Sequence, residues 1–115
     1  VNVEKILLTG GAGYLGSVLT ADLLNEGYNV KVVDNFYYNQ TGLSGLCHYK
    51  NLEIIFFDDN STDNSLEIIQ KYSDVKIIKN KKQTKYGSIN QLNAFKNAIK
   101  LSSGNLIFLF LIINC

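Results

Sequence analysis

Lys5-Ile6-Leu7-Leu8-Thr9-Gly10-Gly11-Ala12-Gly13-Tyr14-Leu15-Gly16 is the stretch that decides the fold. Val3 to Thr9 is an apolar run without clean alternation, as in a strand buried on both faces. The glycine turn follows, and beyond it Leu15, Val18, Leu19 and Leu23 recur at helical spacing, predicting a helix over Tyr14 to Glu26. Gly27 is placed to end that helix in a left-handed conformation. Asn29 to Val33 reads as a second strand with Asp34 at its carboxyl end, which completes a strand–helix–strand unit of the length a right-handed crossover needs.

Two patterns overlap in the turn. Gly11, Gly13 and Gly16 fit G-x-G-x-x-G, and Thr9-Gly10 with Gly13 and Gly16 fit T-G-x-x-G-x-x-G. In both, one glycine permits a tight turn, another lets backbone approach a pyrophosphate, and a third lets helix and strand pack closely. The helix N-terminus then offers free N–H groups and a partial positive charge to phosphate. Ser17 stands where a P-loop needs lysine, so the turn is not of that type. Asp34 follows Gly16 at about the 20-residue distance of an acid that accepts ribose hydroxyls and repels a 2′-phosphate, which favours NAD over NADP. The competing account is a plain turn with Asp34 as a solvated strand end.

Downstream the alternation continues. Asn35 to Lys50 is a loop rich in Tyr, Asn and Gly, and Leu52 to Phe57 a third strand ending in Asp58-Asp59. Helix caps from Asn60 to Asn64 precede a stripe of Leu66, Ile69 and Tyr72. Val75 to Ile78 is a fourth strand. Ile89, Leu92, Phe95 and Ile99 mark a further helix closed by Ser102-Ser103-Gly104, and Leu106 to Ile113 a fifth strand, well short of the roughly 20 residues of a membrane span. The expectation is one α/β domain over 1–115, a Rossmann-like three-layer sandwich with a mostly parallel sheet of about five strands.

Composition narrows the partners. The 115 residues are 46% hydrophobic, which excludes global disorder, and the net charge of +1 gives no bulk argument for nucleic acid. Every cation is lysine, so the bidentate arginine clamp for phosphate is missing and a phosphate site must use amides, a helix end or lysine. Cys47 and Cys115 form neither a metal motif nor a disulfide framework, and with no signal peptide visible the expected setting is cytoplasmic. The absence of methionine points to a fragment.

Residues 3 to about 46 resemble the start of an extended short-chain dehydrogenase/reductase of the NAD-dependent nucleotide-sugar epimerase and dehydratase type. The resemblance rests on Lys5 to Gly16 and on Val32-Val33-Asp34-Asn35. It implies NAD as cofactor, with Gly10, Gly13, Tyr14, Leu15 and Gly16 along the pyrophosphate and Asp34 and Asn35 at the adenosine ribose. Asp58 falls near the adenine, although Phe57 stands where that family has glycine. The family's catalytic Tyr-x-x-x-Lys pair lies further along the chain than Tyr72 and Lys76, which share the spacing but join a helix end to a strand start. His48, the sole histidine, reads as a loop residue, and Lys79, Lys81, Lys82 and Lys85 as a basic loop, solvated or phosphate-contacting.

Residues 49 to 110 resemble a family 2 glycosyltransferase instead, through Tyr49 to Ile55, Asp58-Asp59-Asn60-Ser61-Thr62-Asp63-Asn64-Ser65, Val75 to Asn80, Gly87, Asn93 and Gly104 to Phe108. That resemblance implies strand-end acids gripping the nucleotide of a sugar donor, with Asp59 at the base; the alternative is that Asp58, Asp59 and Asp63 only cap a helix. The family's metal-binding Asp-x-Asp is replaced by Leu111 and Ile113, and its opening strand with a Pro-Thr-Tyr-Asn ending is missing. The chain therefore reads as a hybrid, fusion, truncation or chimera, with a seam near Cys47 to Tyr49. The leading expectation is an NAD-binding domain without the catalytic Tyr/Lys region. The alternatives are a nucleotide-sugar binder and a non-catalytic remnant. Self-association through the apolar C-terminal strand is a further expectation; nucleic acid and membrane are not expected partners.

Overall fold

A computed structural model describes residues 4–37, 41–80, 84–101 and 106–109. The strands are β1 (Lys5–Thr9), β2 (Asn29–Asp34), β3 (Leu52–Asp58), β4 (Lys76–Lys79) and β5 (Leu106–Leu109); the α-helices are α1 (Tyr14–Asn25), α2 (Ser65–Ile69) and α3 (Gly87–Leu101). All five strands hydrogen-bond into one parallel sheet in the order β4-β3-β2-β1-β5. Strands from both sides of the expected seam thus share one ladder, with Val33 opposite Ile55 across the β2–β3 pair. A short 3-10 turn at Ser44–Leu46 interrupts the long loop between them.

Successive side chains on a strand point to opposite faces, and the core divides accordingly. Leu8, Val30 and Val32 pack with Ala12, Leu24 and Leu43 on the α1 face. Leu7, Val33, Ile55 and Phe57 pack with Ala94 and Ala98 of α3 on the other. The expected three-layer α/β architecture is the one observed. Gly27 does end α1 with φ +89°.

Both long helices follow their apolar spacing only in part: Leu19 and Leu23 of α1 pack partly buried against the α1-side core and Phe95 of α3 is half-buried, but the other stripe residues are not inward. In α1 the buried residues are Gly16, Thr20 and Leu24, while Leu15 and Val18 are 61% and 52% exposed. The contact of Gly16 with the glycine turn draws that side of the helix inward. In α3 the sheet meets Ala94 and Ala98, and Ile89, Leu92 and Ile99 remain 42–49% exposed. Small side chains let the helix axis sit close to Leu7 and Ile55, and Asn90 is held inward by bonds to Thr84. Tyr72 is likewise exposed, beyond the end of a five-residue α2. Ser102 to Gly104 and the end of the fifth apolar run, including Leu111 and Ile113, lie outside the described residues, as do Lys81 and Lys82. Among the described residues no helix is long and apolar enough to cross a membrane.

Candidate functional site

The carboxyl ends of β1, β2 and β3 carry nearly every candidate residue. After Thr9 the chain reverses through Gly10, whose φ of +70° is a conformation glycine adopts without a Cβ penalty. The Gly10 amide donates to the Val33 carbonyl and the Gly13 amide to the Gly10 carbonyl, which closes the turn. A Cβ on Gly16 would stand 2.3 Å from the Gly10 oxygen, and one on Gly11 2.6 Å from a Val32 methyl. These glycines therefore bring α1 and β2 into direct backbone contact with the turn.

Helix α1 begins at Tyr14 with Gly13 as its N-cap and no capping side chain. Ser17 is the first of its residues to donate within the helix, to the Gly13 carbonyl, so the amides of Tyr14, Leu15 and Gly16 precede the helical ladder. Tyr14 is 91% exposed, and with Leu15 it leaves this corner uncovered.

Asp34 is placed otherwise than a solvated strand end. It is 2% exposed. Its carboxylate accepts the Ala12 amide and the Phe36 amide, each at 2.9 Å. Burial raises its pKa above the ordinary carboxylate value, and the amides of Phe36, Ala12 and Asn35 oppose that rise. Asp34 thus ties the glycine turn to the start of the next loop. That loop opens with Phe36 at φ +53°, an uncommon conformation for a bulky residue. The amide bond to Asp34 and the stacking of Phe36 on Phe56, centroids 6.1 Å apart, hold it there. Asn35 is half-buried, and its side-chain oxygen accepts the Tyr37 amide.

A second cluster sits at the ends of β3 and β4. Asp58 is buried; one carboxylate oxygen accepts the Ser61 amide at 3.0 Å and the other is buried without a hydrogen bond. The Asn80 amide nitrogen of the backbone donates to the Asp58 carbonyl, and its side chain donates to the Asp59 carboxylate at 2.6 Å. Asp63 is exposed and caps the Ser65 amide, which accounts for its lowered pKa through the Ser65 hydrogen bonds. The cap alternative therefore describes Asp63, while Asp58 and Asp59 join β3 to β4. Asn80 was not among the sequence candidates; its signal was an asparagine directly after a strand, opposite a pair of acids.

The structure brings Asp34, Asn35 and Asp59 to one cavity of about 30 Å³ under α3, floored by Val33 and Phe57. That is room for water and not for a nucleoside. Gly10, Gly13, Tyr14, Leu15 and Gly16 lie at the α1 corner, and strand alternation puts the Asp34 and Asp58 side chains on that same α1 face with Val32. His48 is exposed and packs on Tyr49. Lys76 is committed to Glu53, so Tyr72 and Lys76 do not form a pair. Among the described residues no three His, Cys, Asp or Glu side chains gather as a metal site.

Comparison with known proteins adds two findings. Residues 25–111 match the family described as Glycosyl transferase family 2. The chain belongs to this family. The match begins upstream of the expected seam, and β2 is the first strand inside it. That strand ends in Val33-Asp34, without the Pro-Thr-Tyr-Asn ending expected of the family's opening strand.

Residues 1–24 of this family 2 chain, with the glycine turn, lie outside that match. Separately, the chain is 54% identical over 35 residues to UDP-glucose 4-epimerase of Mus musculus, covering 30% of this chain and 10% of that protein. It is 59% identical over 32 residues to the enzyme of the same name from Corynebacterium glutamicum, 28% of this chain and 10% of that one. The matched stretch spans about a tenth of these relatives' length. Among solved structures, the Bordetella bronchiseptica enzyme WbmG in complex with NAD aligns at a TM-score of 0.45 and 27% identity, over 84% of this chain and 35% of that one. The chain is a hybrid of reductase-like and glycosyltransferase-like sequence on one sheet.

Proposed function

We propose that the chain binds NAD at the corner formed by the glycine turn and α1. The observation that carries this reading is the uncapped start of α1, held against a tight turn by Gly10 at φ +70° and by the close packing of Gly16 on the Gly10 carbonyl. The amides of Tyr14, Leu15 and Gly16 would hold the pyrophosphate, where each phosphate charge near a helix N-terminus gains about 0.3–1 kcal/mol. The short stretch of identity to UDP-glucose 4-epimerases supports a nucleotide-sugar-enzyme origin for part of the chain.

Asp34 and Asn35 would meet the adenosine ribose. Asp34 spends one acceptor site on each of two amides, and a carboxylate has about four. The remaining sites are free to accept ribose hydroxyls, and at 2% exposure they become reachable only when the segment bonded through Phe36 shifts. Its negative charge disfavours a 2′-phosphate, hence NAD rather than NADP. NAD would supply hydride chemistry when bound; this chain's residues bind and orient it, and the proposal stops at binding.

Family membership and the unpaired Asp58 oxygen favour a second reading, in which Asp58 and Asp59 receive the nucleotide of a sugar donor. Divalent metal does not fit this reading, because Leu111 and Ile113 offer no side-chain oxygen at the family's Asp-x-Asp positions.

Isothermal calorimetry separates the readings. Heat with NAD that disappears in Asp34→Ala, with circular dichroism unchanged, supports the first. Heat with UDP-glucose alone, lost in Asp59→Ala, replaces it with the second. No heat with either ligand on a folded chain ends both.

A further inference from the structure

We propose that the groove between α3 and the edge strand β4 is a docking site for an extended acidic peptide, which adds to the sheet as a sixth strand. The groove has a volume of about 870 Å³ and is lined by Lys76, Lys79, Lys96 and Lys100 with Asn93 and Asn97, and among the described residues no carboxylate lines it. Glu53 neutralises Lys76 from the neighbouring strand. Lys79, Lys96 and Lys100 are exposed, and none has a carboxylate partner among the described ion pairs. A chain whose net charge is +1 thus concentrates positive charge along one groove.

Lysines on β4 alone have a simpler role, since charged residues on an edge strand discourage aggregation. That role does not extend to Lys96 and Lys100, which belong to the helix. Four residues apart on α3, they stand about 6 Å from each other along the axis. Alternate side chains of an extended strand repeat every ~6.8 Å, so two acidic residues at positions i and i+2 match them.

The other features select peptide over nucleic acid. Among the described residues no aromatic side chain lines the groove, and single-stranded nucleic acid relies on aromatic stacking platforms. The outer side of β4 has no strand beside it among the described residues, and such an edge offers main-chain hydrogen bonds to an added strand. Ile78 on the groove floor packs against the α3-side core and offers an apolar contact to residues between the acids.

The test is fluorescence anisotropy of a labelled ten-residue peptide alternating glutamate and valine, titrated with the full 115-residue chain at low salt. Binding is expected, and it should weaken about tenfold in Lys96→Gln/Lys100→Gln, since each exposed pair is worth up to about a factor of five. The control Lys50→Gln/Lys71→Gln, which removes exposed lysines elsewhere, should bind as the parent does. Alternate N-methylation of the peptide should abolish binding by removing the strand hydrogen bonds. The proposal is overturned if the peptide does not bind, if the groove variant binds as the parent does while remaining folded, if N-methylation has no effect, or if an oligothymidylate of equal charge binds more tightly.

Discussion

Replacing Gly16 by alanine tests the geometry on which the candidate nucleotide corner depends. The added Cβ would lie 2.3 Å from the Gly10 carbonyl oxygen and 2.7 Å from the Gly11 Cα. Both are backbone atoms, so no side-chain rotation relieves the overlap. Reaching even 3.0 Å from that oxygen requires a retreat of about 0.7 Å, the difference between the two distances. Helix α1 must move off the turn, loosening Leu24 from Leu8, Val30 and Val32. Overpacking of this kind costs about 1–3 kcal/mol, and a wholly backbone clash belongs at the upper end. Two other glycines calibrate the measurement. Gly27→Ala meets open space but must hold φ +89°, which costs about 1–2 kcal/mol. Gly45→Ala meets open space with no left-handed φ and should lie within about 0.5 kcal/mol of the parent. Urea unfolding followed by far-ultraviolet circular dichroism ranks the three. A Gly16→Ala chain as stable as Gly45→Ala would refute the close approach of α1 to the turn, and the proposed pyrophosphate seat with it.

Three further outcomes follow from the same structure. Because burial raises the Asp34 pKa, the fold holds its proton more firmly than the unfolded chain does, so the Asp34 contribution is greatest below about pH 4 and falls as pH rises through the raised value; Asp34→Asn should flatten that fall in urea midpoints taken across pH. Burial works to raise the Glu53 pKa, but hydrogen bonds and charge from Lys76 and Lys31 outweigh it and the net shift is downward. Glu53 therefore stabilises above the ordinary carboxylate range and loses that effect as pH falls, and Glu53→Gln should cost about 0.5–1 kcal/mol at neutral pH, shrinking in high salt. In α3, Ala98→Leu should destabilise by about 1–3 kcal/mol while Leu92→Gln stays within about 0.5 kcal/mol; the reverse ranking in thermal melts would show that the helix rests on its apolar stripe.

Strand positions were legible because buried parallel strands are rich in β-branched and apolar residues: Ile6 to Leu8 and Ile54 to Phe57 are continuous apolar runs, and in β2 only Lys31 interrupts Val30 to Val33. Helix facing was not. Spacing alone marks Leu15 and Val18 on α1, and Ile89 and Leu92 on α3, as inward, but contact is made by the residues that allow the closest approach, Gly16 and Thr20 in one case and Ala94 and Ala98 in the other. Small residues carry little hydrophobic signal, so a pattern of large side chains misses a face chosen for proximity. The same limitation hid the state of Asp34. Its distance from Gly16 marks a position at the strand end, but that it is closed over by the Ala12 and Phe36 amides depends on the turn's path in three dimensions.

Two kinds of sequence share one sheet through the ladders of β2. A parallel strand accepts any neighbour that continues its ladder and covers its faces, and β2 does so for β1 on one side and β3 on the other. Val32 belongs to the α1-side core and Val33 to the α3-side core, and both cores draw on both parts of the chain: Leu7 joins Ile55 and Ala94 on one face, and Leu52 and Ile54 pack with Leu8 and Ala12 on the other. Asp34 then fixes where β2 stops by binding a turn amide from the reductase-like part and a loop amide from its own downstream chain. The family 2 match includes β2 while the glycine turn lies outside it, so the Asp34 carboxylate and the Val33 carbonyl both hydrogen-bond the matched part to the turn at the candidate site.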